Sequence, residues 1–451
     1  MLSRFAAAFS NLAQRVVPDP FVIALGLTAL AFVLGLAVME APDATLLARG
    51  WFARVTASGT LAFTAQMSLI LVAGATLARA PAVHRVLSGL ADVPKTTRSA
   101  AALTALVAML AALVNWGFGL VAGAVLARAI GERAREAGRR LDYALVGAAG
   151  YSGMLVWHGG LSGSAPLKAA EGGPAGGPAV PLDATLFSSL NLLTTLALLI
   201  VVPWVLAAMA SPDRERGADA LPEALGDTWL ATDSDGERHP ALGAVLGVFI
   251  VGLAIFALGT QESSGTGMAG LGLGSVILGL VIVGLALFAT PQRYGRAFSQ
   301  SASEAGGILL QFPFYFGILG LLEASGLVGL LAESSAGMAR GLSSLGPSLG
   351  WSFDVVTFLS AGLVNLFVPS GGGQWAVQGA IVEQASGDLG LPFARSVMAL
   401  SYGDAWTNML QPFWALALLG ITGLKAREIL GYTLVIMLAS GLVFAALFAL
   451  V

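Results

Sequence analysis

The sequence predicts an all-α polytopic membrane protein built from two inverted repeats, each with a re-entrant hairpin and a broken transmembrane helix. Composition is the first reason, because 56% of the 451 residues are hydrophobic and only 11% are charged, against about 25% charged in a typical soluble domain. The second reason is a series of apolar segments near the length of about 20 residues that a spanning helix needs. The third is a set of polar motifs that recur in the same order in both halves.

Composition also excludes several classes of function. The net charge of −3 offers no basic surface for nucleic acid. The absence of cysteine from the sequence excludes disulfides, thiolate metal sites and cysteine nucleophiles. The three histidines, His84, His158 and His239, are divided between two polar loops and one apolar segment. This dispersal argues against a multi-histidine metal site, and we expect no cofactor other than a coupling ion.

The chain begins with an amphipathic segment that we interpret as an interfacial helix on the cytoplasmic side. Residues 1–20 carry Arg4 and Arg15 and end in Pro18-Asp19-Pro20, before the first apolar segment. The segment does not have the pattern of a cleaved signal peptide, which needs a short basic region and a small-residue cleavage site. We therefore expect it to be retained at the membrane surface.

Nine apolar segments are predicted to cross the membrane once, two of them as broken spans. They are 21–39, 61–79, 142–166 (broken), 184–209, 241–259, 270–290, 305–323, 396–420 (broken) and 428–450. We assign 21–209 to the first repeat and 270–450 to the second. The acidic segment 210–240 is predicted to be a cytoplasmic loop, and 241–259 a linking span that inverts the second repeat.

Two further apolar segments, 99–127 and 353–382, are predicted to be re-entrant hairpins. The first has arginine- and lysine-rich flanks on both sides, so both flanks should be cytoplasmic. Its length of about 42 Å as one helix is short for two crossings of a bilayer core. The second has few basic residues in its flanks and should start and end outside. The first contains Asn115 and the second contains Pro369-Ser370-Gly371-Gly372-Gly373-Gln374 at the expected tips.

An internal repeat supports this organisation. Gln66 and the apolar run after it resemble Gln311 and its run, and Leu113-Val114-Asn115 recurs as Leu363-Val364-Asn365. The polar interruption at 157–166 has a counterpart at 402–412. Inverted repeats with discontinuous helices are typical of secondary transporters.

The ends of the broken helices predict a binding site, because they expose unpaired backbone groups at mid-membrane. Helix N-termini suit a carboxylate, whereas C-termini and unwound carbonyl groups suit Na⁺. The predicted substrate-binding residues are Asn115, Ser162, Ser164, Ser370, Gly371, Gly372, Gln374, Thr407 and Asn408. The predicted ion-coupling residues are Asn115, Asn365, Asp404 and His158, with Asn115 and Asn365 as the Na⁺ candidates.

Each of these residues also has a purely structural interpretation. The two asparagines could brace the hairpin tips, the glycines could serve close packing, and hydroxyl residues often pack between membrane helices. Asp404 is an intramembrane acid and is a functional candidate by default, but it could be held by amide or backbone donors. His158 could titrate during transport or be a hydrogen-bonded core residue. Because no lysine or arginine is predicted at the membrane centre, a small monocarboxylate is favoured over a dianion.

At these residues the chain resembles the bacterial short-chain fatty acid transporter family of the wider ion-transporter superfamily. The motifs that carry the resemblance are Leu113-Val114-Asn115-Trp116-Gly117-Phe118-Gly119, Gly160-Leu161-Ser162-Gly163-Ser164, Gln311-Phe312-Pro313-Phe314-Tyr315, Val368-Pro369-Ser370-Gly371-Gly372-Gly373-Gln374-Trp375 and Gln411-Pro412-Phe413-Trp414. The resemblance covers nearly the whole chain. It implies uptake of acids such as butyrate or acetoacetate across the inner membrane, by an elevator-type movement of a transport domain against a scaffold, in a homodimer.

Two positions depart from the family pattern, and several alternatives stay open. Asp404 stands where a glutamate is familiar, and His158 where a glycine also occurs, so both Na⁺ and H⁺ coupling are considered, with Na⁺ symport preferred. The chain could instead carry another organic anion, such as a dicarboxylate or a drug-like molecule, or form a channel. Gly160-Leu161-Ser162-Gly163 also resembles the nucleophile motif of intramembrane serine proteases. That chemistry needs a base beside the serine, and we expect no enzyme activity.

Overall fold

The computed structural model describes residues 20–172, 178–217, 220–221, 245–250, 252–253, 273–288, 290–366, 371–411 and 414–451. Within these ranges the protein is helical and has no β-sheet; a single isolated bridge joins Leu141 and Arg216. The predicted N-terminal interfacial helix, most of the acidic loop 210–240 and most of the linking span 241–259 lie outside the described residues. Ser370 lies outside them as well.

The α-helices include both long apolar helices and shorter ones. In the first half they are α1 (Pro20–Val38), α2 (Ala44–Thr56), α3 (Ser58–Ala78), α4 (Pro81–Ala91), α5 (Thr97–Val114), α6 (Trp116–Glu136), α7 (Tyr143–Tyr151), α8 (Ser164–Glu171) and α9 (Ser189–Met209). In the second half they are α10 (Leu273–Phe288), α11 (Pro291–Ser301), α12 (Gly306–Ala324), α13 (Leu327–Ser343), α14 (Leu349–Asn365), α15 (Gly371–Asp388), α16 (Phe393–Thr407), α17 (Leu416–Thr422) and α18 (Ala426–Leu450).

Several of these helices have the length and composition of membrane spans. In the described part of the chain α3, α5, α9, α12 and α18 are each long and apolar enough to cross a bilayer. Shorter apolar helices lie within α1, α10 and α14. Since many large apolar side chains on these helices are exposed, such as Ile200 on α9 and Leu442 on α18, lipid is the solvent that suits this surface. The chain is a multi-pass membrane protein.

Helices α1, α2, α3 and α12 pack together as one group. The contact between α2 and α12 is close, because a Cβ atom on Gly50 would lie 2.8 Å from the carbonyl oxygen of Gly320. Small residues at such a crossing let two helix backbones approach each other. Arg54 on α2 also forms an ion pair with Glu323 on α12. Helix α2 was not predicted from the sequence, because its arginines interrupt the apolar pattern.

Helices α5 and α6 form the first helical hairpin. Asn115 separates them in an extended conformation, with φ −158° and ψ 133°, and α6 continues beyond residue 127 to Glu136. The arms are therefore longer than predicted, and α5 alone could cross a membrane by length and composition. Helix α14 ends at Asn365 and α15 begins at Gly371, which gives the second hairpin. That either hairpin re-enters the membrane stays a prediction.

Both predicted broken segments contain a helix interruption. After α7, two 3₁₀ turns (Ser152–Leu155 and Trp157–Gly159) precede α8. After α16, one 3₁₀ turn (Asn408–Leu410) precedes α17. Gly160 lies against the first hairpin, where a Cβ atom would come within 2.6 Å of Leu113 Cα. The interruption in the first half therefore packs directly on the hairpin tip.

Polar contacts at the start of α7 and α16 fix these helices to α18. The carboxylate of Asp142 accepts from Leu145 N at 3.2 Å and from the Tyr432 hydroxyl at 2.7 Å. At α16, Arg395 pairs with Asp354 on α14 and donates to the carbonyl oxygen of Phe448. Both broken segments are thus fixed to α18 at the start of their first helix.

Candidate functional site

The first broken segment, the second broken segment and the start of α15 meet at His158. This side chain is fully buried, and its Nδ1 lies 3.0 Å from the carbonyl oxygen of Ser401. Because a carbonyl can only accept, Nδ1 carries the proton, and Nε2 faces the remaining polar groups. Nε2 is 3.3 Å from Ser164 Oγ and 3.6 Å from Asp404 Oδ1. His158, Ser164 and Asp404, all predicted from the sequence, are therefore neighbours.

Asp404 is 1% exposed. Its Oδ2 has no hydrogen-bond donor among the residues that the structure describes. A buried carboxylate is costly unless it is paired with a cation, a donor or a proton. The geometry around Asp404 can therefore accept a cation or a proton.

Gly371 brings the second hairpin into contact with this cluster. A Cβ atom on Gly371 would lie 2.6 Å from Ser164 Oγ and would overlap the imidazole of His158 at Nε2. Only glycine leaves the imidazole in its observed position. Gly372, also predicted as a binding residue, follows in the first turn of α15.

Asn365, Thr407 and Asn408 form a second buried cluster next to Asp404. Asn365 Nδ2 lies 2.8 Å from the Asp404 carbonyl oxygen, 3.0 Å from Thr407 Oγ1 and 2.9 Å from Asn408 Oδ1. An amide nitrogen has two hydrogens, so two of these acceptors can be served at once. Gln411 donates through Nε2 to the carbonyl oxygen of Asn365. The end of α14 is therefore held by the interruption after α16.

Asn115 is the first-half counterpart of Asn365 and lies between α5 and α6. Its Oδ1 accepts from Phe118 N at 2.9 Å and caps α6. Beside it, Trp116 N donates to Ser162 Oγ at 2.9 Å, and Leu161 N donates to the carbonyl oxygen of Leu113 at 2.8 Å. Asn115 and Ser162 thus hold the tip of the first hairpin on the first broken segment, and both are fully buried.

Gln374 lies inside the second hairpin. Its Nε2 lies 2.8 Å from the carbonyl oxygen of Ala361 and 2.7 Å from Gln378 Oε1. The amide hydrogens predicted to reach a carboxylate are used in this structure to join α15 to α14.

Several buried polar atoms of these clusters have no partner within the described ranges. The donors are the Nδ2 atoms of Asn115 and Asn408, and the acceptors are Asn365 Oδ1, Gln374 Oε1 and Asp404 Oδ2. The amide orientations follow from bonds to backbone groups for Asn115, Asn365 and Gln374. Oxygen acceptors of this kind are the ligands that hard cations prefer, whereas N–H donors suit a carboxylate.

Two residues of the site, Ser401 and Gln411, were not among those predicted from the sequence. Gln411 was quoted only as part of a motif, although its position after the interruption was a usable signal. Ser401 contributes its backbone carbonyl to His158, and a backbone contact leaves no signal in the residue type. Among the described residues there is no group of three histidine, aspartate or glutamate side chains that could hold a metal ion.

The protease-like motif has a structural role here. Ser162 Oγ accepts a hydrogen bond from the backbone of Trp116, whereas the imidazole of His158 contacts Ser164. The histidine nearest to the motif thus contacts a different serine from the one in the motif.

Comparisons with known proteins agree with this picture of a membrane carrier. A family model described as "Short chain fatty acid transporter" matches residues 1–451. A protein of Escherichia coli (strain K12) named "Putative short-chain fatty acid transporter" is 36% identical over 456 residues, which covers 98% of each chain. A protein of the same name from Haemophilus influenzae is 33% identical over 472 residues, again with 98% of each chain covered.

Among solved structures, the YdaH transporter of Alcanivorax borkumensis is 16% identical with a TM-score of 0.48, covering 95% of this chain and 98% of that one. The family match over the whole length and the identities above 30% assign the chain as a transporter and not an enzyme. The chain belongs to the short chain fatty acid transporter family.

Proposed function

We propose that this protein takes up short-chain monocarboxylates, such as butyrate or acetoacetate, across the bacterial cytoplasmic membrane together with Na⁺. The observation that carries the proposal is the meeting of two interrupted helices and the start of α15 at His158, Ser164 and Asp404. Interrupted helices expose the backbone and side-chain groups that secondary transporters use for substrate and ion.

The buried donors around the interrupted segments are neutral, which supports a monocarboxylate as the substrate. Ser164, Asn115 and Asn408 offer uncharged donors, and Asp404 is the acid beside them. A dianion would usually be held by a cationic side chain, and the hydrogen bonds that His158 and Asn365 make to described residues include none to lysine or arginine. A different organic anion, such as a dicarboxylate or a drug-like molecule, is the closest rival and predicts that butyrate does not bind.

Coupling to Na⁺ is supported by the acceptors around the end of α14. Asn365 is the last residue of that helix, where the helix dipole is negative, and its side chain belongs to the second cluster, next to Asp404. Asn115, at the end of α5, is the second Na⁺ candidate. H⁺ coupling is the alternative, and the 3.6 Å contact between His158 Nε2 and Asp404 Oδ1 favours it.

The order of elements supports inverted repeats and an elevator movement. Among the described residues of 20–209 and of 273–451, four α-helices precede a hairpin that breaks at or after an asparagine, and then come a segment with 3₁₀ turns and a final long helix. The group formed by α1, α2, α3 and α12 is a candidate scaffold, and the hairpins with the interrupted segments are the candidate transport domain. We propose that two copies of the chain form a dimer and that the N-terminus is cytoplasmic.

Uptake of radiolabelled butyrate into proteoliposomes tests this function. We expect saturable accumulation with an inward Na⁺ gradient. With an inward H⁺ gradient in Na⁺-free buffer we expect no more accumulation than in protein-free liposomes, which neutral butyric acid enters by diffusion. Protein-dependent accumulation driven by H⁺ alone would indicate that H⁺ is the coupling ion and that Asp404 and His158 carry it. Uptake that does not saturate and needs no ion gradient would indicate a channel, and no uptake under either gradient would refute the substrate.

A further inference from the structure

Three tryptophans form an aromatic cluster beside His158. Trp116 is the first residue of α6, directly after Asn115, and Trp157 directly precedes His158. The ring centroids of Trp116 and Trp157 are 6.3 Å apart, and Trp414 lies 5.2 Å and 6.4 Å from them. The Trp157 ring is 3.7 Å from the His158 ring, centroid to centroid. The aromatic cluster therefore joins the tip of the first hairpin to both interrupted segments.

Two of these tryptophans bury an indole N–H that donates to none of the described residues. Trp116 is 1% exposed and Trp157 is 2% exposed, and neither Nε1 has an acceptor in the described part of the chain. An indole nitrogen can only donate, and proteins pair nearly all their buried donors. Two other tryptophans do pair this group: Trp351 Nε1 donates to the carbonyl oxygen of Ala445 at 3.0 Å, and Trp406 Nε1 to that of Met437 at 2.6 Å. Trp51 Nε1, on α2, also lacks an acceptor among the described residues, but it lies apart from the polar cluster at His158.

A third donor of the same kind lies next to them. Asn115 Nδ2 is buried without an acceptor among the described residues, and Asn115 precedes Trp116 in the chain. Three neutral donors thus come from the first hairpin tip and the adjacent 3₁₀ turn. Hydrogen bonds from neutral donors to a carboxylate are stronger than those to a neutral acceptor, so an anion is the partner that best offsets the cost of burying these groups.

We infer that the indole N–H groups of Trp116 and Trp157 bind the carboxylate of the transported acid, with Asn115 Nδ2 as a third donor. This inference rests on the proposed function. It names the anion-binding groups of the site, while the apolar faces of the same rings provide a wall for a short acyl chain. Trp116 and Trp157 are then specificity-determining residues for a monocarboxylate.

The test is equilibrium binding of radiolabelled butyrate to the purified full-length protein and to Trp116→Phe and Trp157→Phe. Phenylalanine keeps an aromatic ring and removes the N–H. Because a hydrogen bond to a charged group is involved, we expect the Kd for butyrate to rise about tenfold to a hundredfold in each variant. Trp351→Phe is the matched control, since its N–H is used within the protein, and its Kd should equal that of the wild type.

Two further measurements separate binding from folding. The Na⁺-induced increase in Tm should be the same in both variants as in the wild type, because the indoles donate and do not ligate a cation. If a phenylalanine variant does not fold, β-(3-benzothienyl)alanine at the same position replaces the N–H with sulfur at nearly the same volume, and it should show the same rise in Kd.

The outcomes distinguish the inference from the function on which it rests. Wild-type protein that does not bind butyrate would overturn the proposed function. Wild-type binding that is retained within twofold in both phenylalanine variants would overturn the role of the indoles and leave the proposed function in place.

Discussion

Substitution of Gly371 by alanine probes the contact between the second hairpin and the first interrupted segment. The new Cβ atom would lie 2.6 Å from Ser164 Oγ and closer to His158 Nε2, whereas favourable contact begins at about 3.5 Å. The imidazole and α15 would have to separate by about 1 Å. Overpacking of this size costs about 1–3 kcal/mol, which corresponds to about a fivefold to 150-fold loss of affinity if it falls on the substrate-bound arrangement.

The assay is the concentration dependence of butyrate uptake in proteoliposomes, with the protein checked by size-exclusion chromatography. Gly387→Ala on the same helix is the control, because a Cβ atom there has no neighbour within 4 Å among the described residues. Alanine at Gly387 should leave uptake unchanged and stabilise α15 by up to about 1 kcal/mol. Equal uptake by Gly371→Ala and Gly387→Ala, at wild-type concentration dependence, would refute the contact between Gly371 and His158.

Three other predictions concern stability, topology and pH. Asn365→Ala removes the amide that donates two hydrogen bonds to buried acceptors, so the free energy of unfolding should fall by about 1–3 kcal/mol. Denaturation in detergent measures this, and an unchanged value would contradict the observed bonding. Because the chain contains no cysteine, Val93→Cys and Leu345→Cys give single labelling sites on exposed residues. A membrane-impermeant maleimide should reach Val93→Cys only from the cytoplasm and Leu345→Cys only from outside, and labelling of both from one side would refute the inverted repeats. Burial lowers the pKa of His84 below 6.5, although the nearby charge of Glu132 raises it in part. The unfolded chain therefore binds this proton at a higher pH than the folded protein does, so stability falls as the pH drops below 6.5. The Tm of His84→Gln should fall less over that range than the Tm of the wild type, and parallel curves would contradict this.

The sequence predicted the helix interruptions well because glycine, asparagine and proline act locally. Asn115 and Asn365 stand at helix ends in the structure. Asn115 is in extended backbone and caps α6, whereas Asn365 ends α14 and bonds through its amide to the segment after α16. The 3₁₀ turns after α7 and α16 fall where polar residues interrupt apolar segments. The same signals pointed to His158, Ser164 and Asp404, because each of them lies in an interrupted segment. The repeat then predicted that the two interrupted segments meet.

What the sequence did not predict depends on contacts between distant segments. Helix α2 has arginines on its surface, and it is held by close packing of Gly50 on Gly320, which no local pattern shows. The carbonyl of Ser401 and the amide of Gln411 became site neighbours only through the fold. Donation by Gln374 to a carboxylate stays a prediction; its amide hydrogens bond inside the second hairpin in this structure.

Equilibrium binding of radiolabelled butyrate to the purified wild-type protein, with and without saturating Na⁺, tests the central claim most directly. If one buried site at His158, Asp404 and Asn365 takes the acid and the cation together, each ligand must strengthen the binding of the other by the same factor. We predict saturable binding whose Kd falls when Na⁺ is added, and an apparent Na⁺ affinity that rises equally with butyrate. Binding of butyrate with the same Kd at zero and saturating Na⁺ would contradict the shared site.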